Sequence, residues 1–208
     1  MFDVKPTRSA LIETKKRIKL ARTGHKLLKM KKDGLIMEFF RVLKKAKDVR
    51  KKIVHDYTQA YEKLSQTKSI DGSFAVRSAA LAGSQEPKTN VQFKNVMGIP
   101  VPLVESTYAL RKTGQRGYGV IGTTVRIDET ASKYEILVED VLMAAEIETT
   151  MRRLIEEIDK TKRRVNALEF KVIPELEQAE AMIKLRLEEM ERENIFRLKK
   201  IKSKAQAS

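Results

Sequence analysis

The chain has 208 residues with no cysteine and no tryptophan; 34% are charged, 6% are aromatic, and the formal net charge is +15. Lacking thiols, it has neither a disulfide framework nor a zinc–thiolate site, and a reducing compartment is expected. So few aromatic residues do not fill a thick globular core, and no run approaches the ~20 apolar residues that span a bilayer, so a soluble or peripheral protein held by a long narrow seam is expected.

Pro6 pre-sets a turn and Thr7 is a candidate N-cap, which starts a helix near residue 7 or 8. From there, spacings of three and four connect Leu11, Thr14, Ile18, Ala21, His25, Leu28, Lys32, Leu35, Phe39, Val42, Ala46, Val49 and Ile53, most of them apolar. Such a seam stays on one side of a helix only when the helix coils round a partner. No proline interrupts the stretch before the Asp71-Gly72-Ser73 break, so some 60 residues predict a helix of roughly 90 Å. Lys5 to Lys52 holds 18 basic against four acidic residues, a net +14, so nearly all the excess charge sits on this first helix. That face requires an acidic surface, which nucleic acid, anionic lipid or a protein patch equally supplies.

Between residues 70 and 127 the helical period is lost and Gly, Pro and Asn accumulate. Phe74 to Gly83 predicts a short Ala-rich helix. Val91 and Phe93, then Val101 and Leu103, alternate around Met97-Gly98-Ile99-Pro100 and predict a β-hairpin, with the prolines holding its second strand at an edge. Gly114 to Gly122 predicts a loop, and Val120 to Ile127 a short extended piece.

A second helix is expected from about 128 to 204, with Ser132 and Glu135 at the spacing of a capping box. Its seam runs through Ile147, Met151, Leu154, Ile158, Thr161, Val165, Leu168 and Val172, then resumes at Leu176, Ala179, Ile183, Leu187 and Met190. Pro174 removes a backbone donor between these series and predicts a kink or local loosening. From residue 128 to the end, 16 basic face 18 acidic residues, so the second helix is nearly neutral. The expected fold is therefore dominated by α-helix: a long antiparallel two-helix coiled coil with a small middle region containing a short helix and a β-hairpin. It divides into an N-terminal helix (1–69), a middle docking region (70–127) and a C-terminal helix (128–208).

No constellation assembles a catalytic, cofactor or metal site. Gly117, Gly119 and Gly122 spell G-x-G-x-x-G, but neither a buried strand before them nor a helix directly after them supplies the dinucleotide context, and there is no Walker-type G-K-[ST]. His25 and His55 lie thirty residues apart without co-ligands, and His25 reads as a packed imidazole on the seam. Glu156-Glu157 and Glu188-Glu189 belong to a solvated, charge-mixed face. Met30, Met37, Met143, Met151, Met182 and Met190 are expected to fill the seam or an interface. Lys32 is an inward lysine whose long stem lets its ammonium snorkel to solvent.

Pro6-Thr7-Arg8, Leu11, Lys15, Leu20-Ala21, Gly24, Leu27-Leu28-Lys29, Lys31-Lys32-Asp33 and Leu35 together resemble the N-terminal helix of the D subunits of the archaeal and vacuolar-type (A/V-type) rotary ATPases. Arg163-Arg164-Val165-Asn166-Ala167-Leu168-Glu169 followed by Val172-Ile173-Pro174 resembles the C-terminal signature of the same family. Lys32 departs from it, since arginine is frequent there. The resemblance implies a non-catalytic central-stalk rotor without cofactor. Such a rotor turns inside the catalytic hexamer of A and B subunits, bound to stalk subunits F and C, on the cytoplasmic face of the cell membrane and linked to the membrane only through the complex. It also implies a division of contacts. The cations Arg8, Lys15, Lys16, Lys19, Arg22 and Lys26, with Arg197, Lys199, Lys200 and Lys202, meet acidic loops of the hexamer, while the hairpin with Val91, Phe93, Val101 and Leu103 meets the stalk partners. The alternative reading is a basic coiled coil that binds nucleic acid, against which stand the absence of an aromatic stacking platform and of any common reading motif. A membrane-surface scaffold is weaker, because the apolar stripe of the first helix is committed to the coil.

Overall fold

The computed structural model describes residues 7–83, 89–106, 116–119 and 123–206. Helix α1 spans Arg8–Asp71, α2 Ser73–Ala82, strand β1 Thr89–Val96, strand β2 Ile99–Ser106, α3 Val125–Ala167, and α4 Ile173–Gln206, with a π-helical turn at Leu168–Val172 joining the last two. Thr7 caps α1 as its sequence position predicts, its Oγ1 accepting the Ala10 N–H at 3.1 Å. Gly72 separates α1 from α2 at φ 85° and ψ 151°, a conformation open in practice only to glycine. Contacts divide the chain into two units, Met1–Gly34 with Ile158–Ser208, and Leu35–Glu157.

In the first unit the start of α1 runs antiparallel to α4. Successive ion pairs give the register: Arg8–Glu191 at 2.6 Å, Lys15–Glu180 at 3.9 Å, and Arg22–Glu177 at 2.7 Å. Between them Thr14, Ile18 and Ile183 are buried, and Thr161 and Val165, on the end of α3 in the same unit, are buried too. Thr14 satisfies its hydroxyl locally on the Ala10 carbonyl, so a polar residue is tolerated on an apolar seam. The ion pairs are solvent-exposed and contribute little individually; the buried seam holds the pair.

Pro174 is accommodated by the preceding π turn. The Ile173 N–H donates to the Leu168 carbonyl, five residues back, which widens the turn where the proline ring would otherwise strike the preceding helix. The loosening expected at Pro174 therefore takes the form of one extra residue per turn. Beside it, His25 Nε2 lies 3.4 Å from Glu169 Oε2. His25 is half-buried on the seam, as expected, with a carboxylate for a neighbour.

The second unit pairs the rest of α1 with α3, again antiparallel, and adds α2 and the hairpin. Lys63 meets Glu129 at 3.2 Å and Thr67 shares a buried hydrogen bond of 2.9 Å with Thr130. Leu35 and Leu154 are fully buried, and Ala60 provides a close approach on the same seam. Asp140 is 2% exposed, with Oδ1 accepting from Lys52 Nζ at 2.5 Å; its other oxygen is buried and has no partner among the described residues. A carboxylate in an apolar seam opposes stability unless neutralised, so Lys52 is the group that makes Asp140 tolerable.

The hydrogen bond to Asp140 holds Lys52 above its ordinary value of 10.5; desolvation opposes it, and the charges of Asp140, Asp56 and Glu139 add to the rise. A raised lysine stabilises the fold fully below its unfolded value and loses that contribution as pH climbs through the folded one. The gap in melting temperature between the native chain and Lys52→Met is thus expected to stay constant from about pH 7 to about pH 9 and to close only above the ordinary lysine value. Thermal melts followed by circular dichroism check this.

Several sequence expectations require correction. Ser132 and Glu135 do not cap a helix: α3 already starts at Val125, and the Ser132 hydroxyl donates back to the Asp128 carbonyl at 2.9 Å. Residues 125–127 of the expected extended piece are helical for the same reason, while 120–122 lie outside the described residues. Of the six methionines expected to fill the seam or an interface, Met151 is half-buried on the seam; Met30, Met37, Met143, Met182 and Met190 are exposed, so the seam half of that expectation fails for these five. The buried seam positions are held by Ile, Leu, Val, Ala and Thr. Lys32 does not need correction: its ammonium lies 3.4 Å from the exposed carboxylate of Asp33, the adjacent residue, in keeping with a stem that carries the charge outward.

Candidate docking site

The hairpin forms where sequence alternation places it. Val96 and Ile99 close the ladder round Met97 and Gly98, whose φ values of 53° and 88° define a type I′ turn, the turn whose twist matches that of paired strands. The Asn95 side chain accepts the Gly98 N–H at 2.8 Å and steadies it.

This register fixes which backbone groups point where. Asn90, Gln92, Lys94 and Val96 direct their N–H and C=O groups to Glu105, Leu103, Val101 and Ile99, so the even residues of β2 and the odd residues of β1 face outward. Pro100 and Pro102 stand at outward positions, where a missing N–H costs the ladder nothing. Helix α3 covers that edge of β2: Glu146 accepts the Val104 N–H at 3.0 Å, and Arg153 donates to the Pro100 carbonyl. The Arg153 guanidinium also sits 5.4 Å from the centre of the Phe93 ring.

A second fixture holds the chain just before α3. Arg116, 7% exposed at its side chain, grips Glu135 in a two-pronged contact, Nε to Oε1 at 2.9 Å and Nη2 to Oε2 at 3.0 Å. Its Nη1 reaches both the backbone oxygen and Oδ1 of Asp128, each at 3.1 Å, and Nη2 also donates to Ser132 Oγ at 2.8 Å. Tyr118 adds its hydroxyl to Asp128 Oδ1 at 2.7 Å. Burial alone would lower the Arg116 value, but the hydrogen bonds and charges of Glu135, Tyr118 and Asp128 outweigh it and drive it up. Burial, and then the bond to Asp128, raise Tyr118 above its ordinary 10, so it remains a donor at neutral pH.

Gly117 lets this arginine reach its receptor. Its φ is 86°, and a Cβ there would lie 2.5 Å from the Ala82 carbonyl at the end of α2. The glycine of the apparent dinucleotide fingerprint thus serves a close backbone approach. Around the fixture, Leu64, Val76, Ile127, Tyr134 and Val138 line a mainly apolar cavity of about 470 Å³.

The residues expected to meet partners fall into two groups. In the hairpin, Val91, Phe93 and Leu103 are exposed, Phe93 to 65%, whereas Val101 is buried. In the other unit, Arg8, Lys15, Lys16, Lys19, Arg22 and Lys26 of α1 and Arg197, Lys199, Lys200 and Lys202 of α4 are all exposed. Arg8, Lys15 and Arg22 lean on carboxylates of α4, and Arg197 lies 3.7 Å from Glu193. Lys16, Lys19, Lys26, Lys199, Lys200 and Lys202 form no ion pair among the described residues. Sequence reasoning missed Arg116 and Asp140. The signal for Arg116 was present: Asp128, Ser132 and Glu135 follow a four-then-three spacing that puts three acceptors on one helix face.

Among the described residues no helix is long and apolar enough to cross a membrane, and no group of three or more His, Asp or Glu side chains is placed to hold a metal ion. In each unit a part of α1 pairs antiparallel with a later helix, which defines an α-helical protein of the coiled-coil class. The family is shown by comparison: the family model for the D subunit of ATP synthase matches residues 10–203, and the chain belongs to this family. It is 56% identical to the A-type ATP synthase D subunit of Methanococcoides burtonii, covering 96% of this chain and 97% of that protein. It is 53% identical to the corresponding protein of Methanoregula boonei, covering 97% of both chains, and 51% identical to that of Archaeoglobus fulgidus, covering 98% of both.

Proposed function

We propose that the chain is the central-stalk rotor of an A-type ATP synthase, a non-catalytic subunit that carries torque between the catalytic A/B hexamer and the membrane ring that moves protons or sodium ions. The observation that carries this reading is α1, 64 residues without interruption and paired antiparallel with α3 in one unit and α4 in the other. A rotor that transmits torque must resist twisting, and a seam of buried side chains along paired helices supplies that resistance. Family membership favours this reading of the basic balance over nucleic-acid binding.

In this reading the exposed lysines at the chain ends face acidic loops of the hexamer. Contacts between exposed charges are worth about 0–1 kcal/mol each, so they exchange as the shaft turns. The hairpin and its neighbours meet the stalk subunits F and C, and the assembly sits on the cytoplasmic face of the membrane. Replacing Lys16, Lys19, Lys26, Lys199, Lys200 and Lys202 together by glutamine is expected to change ATP turnover of the reconstituted complex several-fold and to flatten its dependence on salt. Turnover and salt response both identical to the native complex would defeat the proposal for this surface.

A further inference from the structure

The two edges of the hairpin are treated in opposite ways. On β2 the outward positions are occupied by Pro100 and Pro102, which have no N–H, and by Val104, whose N–H is taken by Glu146. On β1 the outward N–H and C=O groups of Val91, Phe93 and Asn95 make no hydrogen bond among the described residues, and Thr89 to Asn95 is exposed throughout. An open strand edge is a template for pairing, and proteins ordinarily block it with proline, charge or cover. Here those devices are spent on one edge only.

Resting on the reading of this chain as an ATP synthase subunit, we infer that the free edge of β1 receives an extended acidic segment of another subunit of that complex, which adds as a third strand. The unsatisfied groups repeat along a strand and call for another extended backbone; a helix satisfies its own. Side-chain chemistry narrows the occupant. Val91 and Phe93 offer an apolar surface on one face, where the Arg153 guanidinium lies against Phe93; Lys94, the only charge on β1, stands on the other face. Glu105 is the one carboxylate on the hairpin and belongs to the far strand. An incoming strand with apolar residues opposite Val91 and Phe93 and carboxylates within reach of Lys94 complements the edge, while Arg153 stays engaged at the opposite edge on the Pro100 carbonyl. A second copy of this chain does not, because it brings a strand whose only charge is again Lys94, on a molecule of net charge +15.

The test is hydrogen exchange of the full-length chain, alone and within the assembled ATP synthase. The amides of Val91, Phe93 and Asn95 are expected to exchange freely in the isolated chain and on the order of 100-fold more slowly in the complex. Val91→Pro copies the device already present on β2, since it removes an outward N–H and leaves the inner ladder of Gln92 and Lys94 intact. It is expected to abolish most of the protection at Phe93 and to speed loss of the chain from the complex about tenfold, whereas Val91→Thr retains both. Equal exchange of the three amides in free and assembled chain overturns the inference while leaving the rotor assignment standing. Protection that appears in the isolated chain and grows with its concentration overturns it in favour of self-pairing. Failure of the native chain to enter the complex defeats the rotor reading and this inference together.

Discussion

Replacing Arg116 by alanine is expected to lower the stability of the chain by about 3–5 kcal/mol, the cost typical of removing one partner from a buried ion pair. The magnitude follows from what remains. Asp128 and Glu135 are mostly shielded from water, at 26% and 17% side-chain exposure, and both have been positioned to receive the same guanidinium. Without it, two carboxylates seven residues apart on one face of α3 repel each other, and Ser132 loses its donor. Arg116→Lys is expected to recover only part of the loss, because an ammonium does not make the forked contact with Glu135. The effect should be local: urea titration followed by exchange of α2 and of the start of α3 would detect loosening there, while the pairing of α1 with α4 persists. A loss below about 1 kcal/mol would mean that the fixture is ornamental.

Leu154→Ala is the second large effect, with an expected cost of about 2–5 kcal/mol. Leu154 is fully buried, so truncation removes contacts on every side, and two paired helices have few neighbouring side chains that can move in to fill the space. Leu35→Ala should act similarly, since it too is fully buried. Met37→Ala, two residues further along α1 and 71% exposed, is the control and should change stability by less than about 0.5 kcal/mol. Chemical denaturation of the three variants at equal concentration measures the differences. A coil whose seam is closed by Ile, Leu, Val, Ala and Thr places its stability in a few fully buried positions, so substitutions there have the largest effects.

The sequence by itself determined the long helices, their seams and the hairpin. A period of three and four residues marks one side of a helix whatever lies opposite, and the positions so marked in α1, among them Thr14, Ile18, Leu35 and Ile53, are those withdrawn from solvent. Alternation and the Met97-Gly98 turn likewise placed β1 and β2, because both signals are local. Tertiary structure decided what depends on distant residues meeting. Ser132 and Glu135 have the spacing of a cap and become instead a receptor for Arg116, which approaches from a loop. The exposed methionines are apolar residues that no helix covers among the described residues. Asp140 looks like a surface carboxylate until Lys52, 88 residues away, is found to neutralise it in the seam. Periodicity reports which face of an element is buried; only the folded chain shows which charge is buried with which, because electrostatic pairing depends on distance in space and not on position along the backbone.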